Sequence, residues 1–151
     1  MNIKSAFTLT TIGLAATITL SSPAVADVWW ETKDGTLYWD GAVGDYGVLR
    51  FLLKDQDYKL DKNSAFYVDG MGPLYTSNGK LTGTYGGLWF KYGRGARNSC
   101  DFEVEDPEGN KTKNWGSLSI TYKQDDNYFT LELSNCEHPE VTRTLEGTPG
   151  E

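Results

Sequence analysis

The chain has 151 residues, and 21 acidic against 14 basic side chains give it a formal net charge of -7. This length suits a single domain. An acidic surface repels nucleic acids and anionic bilayers, because those partners select for clustered lysine and arginine. We therefore expect no nucleic-acid partner.

Residues 1–26 have the organisation of a signal peptide that is removed on export. The apolar stretch after the basic start has about 15 residues, fewer than the ~20 that a membrane-spanning helix needs. Ala24-Val25-Ala26 supplies the small residues that a signal peptidase accepts. We therefore expect cleavage after Ala26, a secreted or periplasmic protein, and no membrane span once the signal is gone.

The rest of the chain predicts an all-β fold, because aromatic and β-branched residues are interrupted by glycine and Asx-Gly turns and no helical periodicity lasts three turns. About nine strands favour an antiparallel β-sandwich or a small β-barrel of about 8–10 strands. We place this single β domain at residues 27–136 and expect residues 137–151 to be a loosely ordered tail. The predicted strands cover residues 28–32, 36–40, 48–54, 65–69, 80–85, 88–92, 101–105, 116–123 and 128–134.

The last two predicted strands alternate strictly between apolar and polar residues. One face of each strand is therefore expected to be buried and the other exposed, as in antiparallel sheets. The residues expected to be buried are Leu118, Ile120, Tyr122, Phe129, Leu131 and Leu133.

Cys100 and Cys136 are the two cysteines. In an oxidising compartment such a pair is expected to form a structural disulfide. If residues 101–105, 116–123 and 128–134 formed a plain meander, the cysteines would lie roughly 17–20 Å apart, whereas a disulfide needs Cα atoms within ~7 Å. We therefore predict that residues 106–114 run back along the domain as a connection and do not form a tight hairpin.

The search for catalytic groups favours a non-catalytic protein. His138 is the single histidine, lies in the predicted tail, and has no evident serine or cysteine partner. The two cysteines and His138 are too few for an evident metal site. We expect neither a metal nor another cofactor.

Aromatic residues carry the strongest functional signal. Trp29 and Trp30 are adjacent and cannot both face one core, so some large rings are expected at the surface. Exposed rings stack on sugars or anchor protein interfaces. The alternative is that the rings fill the inner faces of the fold.

A compact cationic group, formed by Lys91, Arg94 and Arg97, lies next to Trp89 in the sequence. Guanidinium groups bind a carboxylate or a sulfate in a bidentate manner, although a solvated loop is the simpler interpretation. The candidate ligand-binding residues are Trp89, Lys91, Tyr92, Arg94, Arg97, Trp30 and Trp39.

The leading hypothesis is an exported, non-catalytic domain that recognises a glycan or a cell-wall polymer through exposed aromatic rings. One alternative is an acidic inhibitor that binds a basic secreted hydrolase such as lysozyme, because opposite charge steers such an encounter. A structural envelope subunit is the other alternative. The sequence does not define the oligomeric state.

Met71-Gly72-Pro73-Leu74-Tyr75 resembles the Ser-Gly-x-x-Tyr loop of periplasmic lysozyme inhibitors, which are small β-barrels. The resemblance covers five residues, Met71 replaces the serine, and the Thr-Lys-Gly of the family's second loop is absent. It implies that Gly72 and Tyr75 would be the inhibitor-loop positions.

Overall fold

The computed structural model describes residues 28–53, 59–77, 80–93, 100–123 and 128–150. The predicted signal peptide, Arg94 and Arg97 lie outside these residues. Within the described ranges, no helix has the length and apolar character that crossing a membrane requires.

The fold is nearly all β, as predicted, and it is a closed barrel. Eight antiparallel strands follow one another around the barrel in chain order, and the last pairs with the first. The elements are β1 (Trp29–Thr32), β2 (Gly35–Val43), β3 (Tyr46–Leu53), β4 (Lys59–Leu60), β5 (Ser64–Asp69), α1 (Gly72–Ser77), β6 (Gly83–Lys91), β7 (Val104–Glu105), β8 (Lys111–Thr112), β9 (Trp115–Tyr122), β10 (Phe129–Ser134) and β11 (Val141–Pro149). Strand β4 adds to β3 beside the barrel, and β7 and β8 form a separate hairpin.

The barrel interior is filled by apolar side chains from every second residue. On β9 and β10 all six residues expected to be buried are buried, which confirms the predicted alternation. A second apolar cluster covers the outer side of β3, β5 and β6 and includes Trp115 and the disulfide. Residues 100–114 pack over this outer cluster, and Val104 belongs to it.

Helix α1 closes one end of the barrel. It packs against β2 and β3, and the backbone N–H of Gly72 donates to the carbonyl oxygen of Asp45 at 2.9 Å in the β2–β3 turn. That turn is tight because Gly44 has a φ of 59°, which glycine adopts at no steric cost. Met71 is fully buried in the interior core. We call this the closed end.

The expectation of a loose C-terminal tail is wrong for residues 141–149. They form β11, which pairs with β10 along its length and with β1 at Trp30 and Glu31. Without β11 the facing backbone groups of β1 and β10 would be unpaired sheet edges, which are costly and prone to association. Pro149 fits because it is the last residue of the strand.

Strand β6 is continuous, although two strands were predicted over residues 80–85 and 88–92. Gly86 and Gly87 do not mark a turn. A side chain at Gly87 would collide with the carbonyl oxygen of Tyr67 on β5, so this glycine permits close approach of the two backbones.

The predicted disulfide is present, with the Cα atoms of Cys100 and Cys136 5.6 Å apart. Strand β9 pairs with β6 and β10, so residues 101–105 do not join the meander, as the distance argument requires. The connection predicted for residues 106–114 is wrong, because β7 and β8 form a tight hairpin there. The hairpin brings the chain back beside Cys100, whose N–H donates to the carbonyl oxygen of Lys113. The N–H of Cys136 donates to the carbonyl oxygen of Trp115.

Candidate functional site

The end of the barrel opposite α1 holds a cavity of about 530 Å³. This volume is within the range of about 300–1,000 Å³ that is typical of small-molecule sites, and barrel mouths are a common position for them. The ends of β3, β6 and β10 and the starts of β5 and β11 line the cavity. We call it the mouth.

Strand alternation explains which side chains reach the mouth. Lys91 follows Trp89 by two residues, and Arg143 precedes the fully buried Leu145 by two. Residues two apart on a strand share a face, so both cations lie on the interior side, above the last apolar layer. The adjacent residue Phe90 instead faces outward and is buried in the outer cluster.

The floor of the mouth is apolar and aromatic. Phe51 and Phe66 pack edge to face with ring centroids 5.7 Å apart, and both contact the interior core. Leu133 and Trp89 complete this lining. Phe66 and Leu133 are 5–6% exposed and close the floor from below, whereas the partly exposed rings of Trp89 and Phe51 offer flat apolar surface to a ligand that enters from outside.

Trp89 is held in a fixed position across the sheet. Its indole Nε1–H donates to the carbonyl oxygen of Ser134 at 2.7 Å, so the ring reaches from β6 past β9 to β10. The ring passes over Gly116, where any side chain would collide with both the indole and that carbonyl. Because the ring is fixed before binding, a ligand that stacks on it pays little ordering cost.

The rim of the mouth carries charged groups. Arg143 Nη2 lies 2.8 Å from Asp34 Oδ2, and both side chains are partly exposed. Asp61 accepts hydrogen bonds from the N–H of Asn63 at 2.8 Å and from the hydroxyl of Ser64 at 2.7 Å. Lys91 is exposed beside them. These groups are able to bind and orient a polar ligand.

The predicted surface of exposed tryptophans is absent from the described residues. Trp30 is 0% exposed and Trp39 is 4% exposed, because both fill the barrel interior. This corrects their assignment as ligand-binding residues. The large hydrophobic side chains that are exposed in the described ranges are Phe102 and Val141. Among the predicted ligand-binding residues that the structure describes, Trp89 and Lys91 line the mouth.

Tyr92 faces the outside of the barrel and fastens the hairpin. Its hydroxyl donates to Asp106, a carboxylate that is 4% exposed and also accepts from Tyr67 at 3.2 Å and from the N–H groups of Glu108 and Asn110. Burial and the hydrogen bond to Asp106 raise the pKa of Tyr92. Burial opposes ionisation of Asp106, but the hydrogen bonds from Tyr92 and Asn110 outweigh it and lower its pKa.

A second cavity of about 810 Å³ lies on the outside of the barrel near Tyr92. Arg50 crosses it and is bound on both sides, with 3.0 Å to Asp40 and 2.9 Å to Glu108. The guanidinium of Arg50 is therefore already engaged, and we do not assign a ligand to this cavity.

The five-residue segment that resembles the inhibitor loop is part of the closed end. Gly72 is buried, and the ring of Tyr75 is partly buried and packs on Trp39 with centroids 5.2 Å apart. A substituted Gly72 would collide with the β2–β3 turn. In this conformation the segment supports the barrel.

The described residues that line the mouth do not form a nucleophile–base pair. The hydroxyls at the mouth are engaged, since Ser64 donates to Asp61 and Thr142 donates to the carbonyl oxygen of Leu133 at 3.2 Å. His138 lies beside the disulfide and does not line the mouth. In the ranges that the structure describes, no group of three or more histidine, cysteine, aspartate or glutamate side chains is placed to hold a metal ion.

Sequence reasoning missed Arg143, Asp34 and the phenylalanine pair. Arg143 was overlooked because the segment around it was assigned to the tail. The local signal for this strand is weak, because Val141, Arg143, Leu145 and Gly147 alternate with polar residues but only two of the four are aliphatic.

No protein-family model matches the chain, and neither the curated proteins nor the solved structures contain a match to it. Its function is therefore argued from the geometry of the mouth.

Proposed function

We propose that this chain is an exported, non-catalytic binding protein whose mouth receives the end of a glycan or cell-wall polymer. One observation carries the proposal: a fixed indole, Trp89, lies in the lining of a cavity of about 530 Å³ that is open at one end of a rigid barrel.

The chemistry of the mouth suits a sugar. A pyranose ring has an apolar face that stacks on an aromatic ring, and a polar edge that needs hydrogen-bond partners. Trp89 and Phe51 supply apolar surface, while the rim supplies carboxylates, a guanidinium and an ammonium group. The arrangement differs from the sequence-based hypothesis, in which several exposed tryptophans made one surface.

The test is retention of the mature protein on immobilised polysaccharides and peptidoglycan, followed by titration with soluble fragments and tryptophan fluorescence. Trp89→Ala is expected to lower affinity at least tenfold. Trp29→Ala is the matched control, because Trp29 is a partly buried tryptophan beside Gly150, outside the mouth. Equal binding by both variants, or no retention of the wild-type protein, would overturn the proposal.

Two other functions are separable by cheap measurements. An inhibitor of a basic hydrolase is favoured by the net charge of -7, and it would reduce lysozyme activity in a manner that weakens with salt. An envelope subunit is favoured by exposed Phe102 and Val141, and it would elute as an oligomer. Either result without glycan binding would replace the proposed function.

A further inference from the structure

We infer that the mouth selects an acidic saccharide, one whose sugar carries a carboxylate. This inference rests on the proposed function and specifies its ligand. It follows from the hydrogen-bonding capacity that the rim leaves unused, from the position of Arg143 next to Trp89, and from the weakness of the contact that now holds Arg143.

Each carboxylate at the rim has a hydrogen-bond partner, and the cations have unused donors. Both oxygens of Asp61 accept hydrogen bonds from Asn63 and Ser64, and Asp34 accepts from Arg143. Arg143 pairs through one nitrogen out of a guanidinium with five N–H donors. The ammonium group of Lys91 forms no ion pair with any residue in the described part of the chain. The unused donors of Arg143 and Lys91 are able to bind an anion.

Arg143 is placed beside the stacking ring. The indole of Trp89 ends at the carbonyl oxygen of Ser134 on β10, and the preceding residue, Leu133, is the direct cross-strand partner of Arg143 on β11. Neighbouring strands are about 4.8 Å apart, so Arg143 starts about one strand spacing beyond the edge of the ring. A sugar stacked on Trp89 would direct a ring carboxylate toward this guanidinium.

The contact between Arg143 and Asp34 is of the kind that a ligand replaces easily. The Arg143 side chain is 49% exposed, and exposed single-contact ion pairs contribute little to stability. A carboxylate that binds the guanidinium through two parallel hydrogen bonds makes a stronger contact. Asp34 therefore holds the guanidinium in position while the mouth is empty and competes with an anionic ligand.

The experiment compares a uronic-acid oligosaccharide with the same oligosaccharide after reduction of its carboxyl groups, both titrated into the mature protein. The wild-type protein is expected to bind the acidic form at least tenfold more tightly. Arg143→Gln is expected to remove this preference by weakening the acidic form alone, and Asp34→Asn is expected to strengthen binding of the acidic form. Lys111→Gln is the charge-matched control, because Lys111 pairs with Glu105 on the outer hairpin.

The outcomes separate this inference from the proposed function. Equal binding of both forms, lost in Trp89→Ala, would overturn acid selection and leave the glycan-binding proposal standing. Binding of neither form would overturn both. A simple aliphatic carboxylate is the third probe, and its binding in preference to both sugars would show that the mouth takes apolar anions and would also overturn both.

Discussion

The two ends of the barrel differ in what occupies the inward-facing positions. At the closed end these positions and the residue that precedes α1 supply apolar groups that pack together, among them Val68, Tyr122 and Met71. At the mouth the same alternation supplies Lys91 and Arg143 above an aromatic floor. An inward position in a small barrel is therefore not by itself evidence for a core. When charged side chains occupy the inward positions at one end of a barrel, they indicate that a ligand is able to enter at that end.

The largest change in stability is expected from a substitution at the closed end. Met71→Ala should lower the free energy of unfolding by about 2–5 kcal/mol, because it opens a cavity in a fully packed core. Met71→Leu keeps the volume and should cost less than about 1.5 kcal/mol. Denaturant unfolding gives both values, and ligand titration should show unchanged affinity in each. A stable Met71→Ala variant with weakened binding would reverse the roles that we assign to the two ends.

A smaller effect is expected from Gly116→Ala at the mouth. The added methyl group would collide with the Ser134 carbonyl and the Trp89 indole, and such overpacking costs about 1–3 kcal/mol. Trp89 fluorescence should shift as the ring is displaced, and binding should weaken with it. Gly86→Ala is the matched control in the adjacent strand, since its methyl group would meet nothing within 4 Å. Equal behaviour of the two variants would contradict the fixed position of Trp89.

The smallest effect concerns the outer hairpin that starts at the mouth end. The pKa values of Tyr67 and Tyr92 are raised by burial and by hydrogen bonds to carboxylates. Their contribution to stability is complete below the usual tyrosine pKa of about 10 and is lost as the pH rises above it. The melting temperature should therefore fall above about pH 10. Tyr92→Phe should melt below the wild-type protein at neutral pH, and the gap between them should narrow above that value. A constant gap from pH 7 to 11 would show that Tyr92 is not part of this titration.

The lowered pKa of Asp106 makes stability depend on pH in the opposite direction. A depressed folded-state pKa contributes stability above the usual value of about 3.9, and that contribution is lost as the pH falls through the folded-state pKa. The hairpin should therefore contribute most to stability at pH values above the usual aspartate pKa and below the usual tyrosine pKa.

Local pattern was sufficient to predict most of the fold. Strands β9 and β10 follow from their alternation, and the disulfide follows from an isolated cysteine pair in a chain whose sequence predicts export. The choice of barrel over sandwich was not accessible, because closure depends on β11. That strand buries the aliphatic residue Leu145 among threonines and a glycine, so its apolar pattern is weak.

The site was predictable only where its residues are close in sequence. Trp89 and Lys91 were identified together because they are two residues apart. Arg143 and Asp34 reach the same mouth through pairing of distant strands, which no local pattern reports. Trp30 and Trp39 were misassigned because we expected more large rings than one face of a sheet can bury. A closed barrel has room for both of them in its interior.

The pairing of β1 with β11 also determines at which end of the barrel β1 starts and β11 ends. The N–H of Gly150 donates to the carbonyl oxygen of Trp29 at 3.0 Å, so the start of β1 and the end of β11 lie together at the end of the barrel that α1 closes. A tether attached directly before β1 or directly after β11 would thus hold the protein from the closed end and turn its opening outward. Immobilisation through a terminal tag should accordingly leave the opening free to sample large polymers from the surrounding medium.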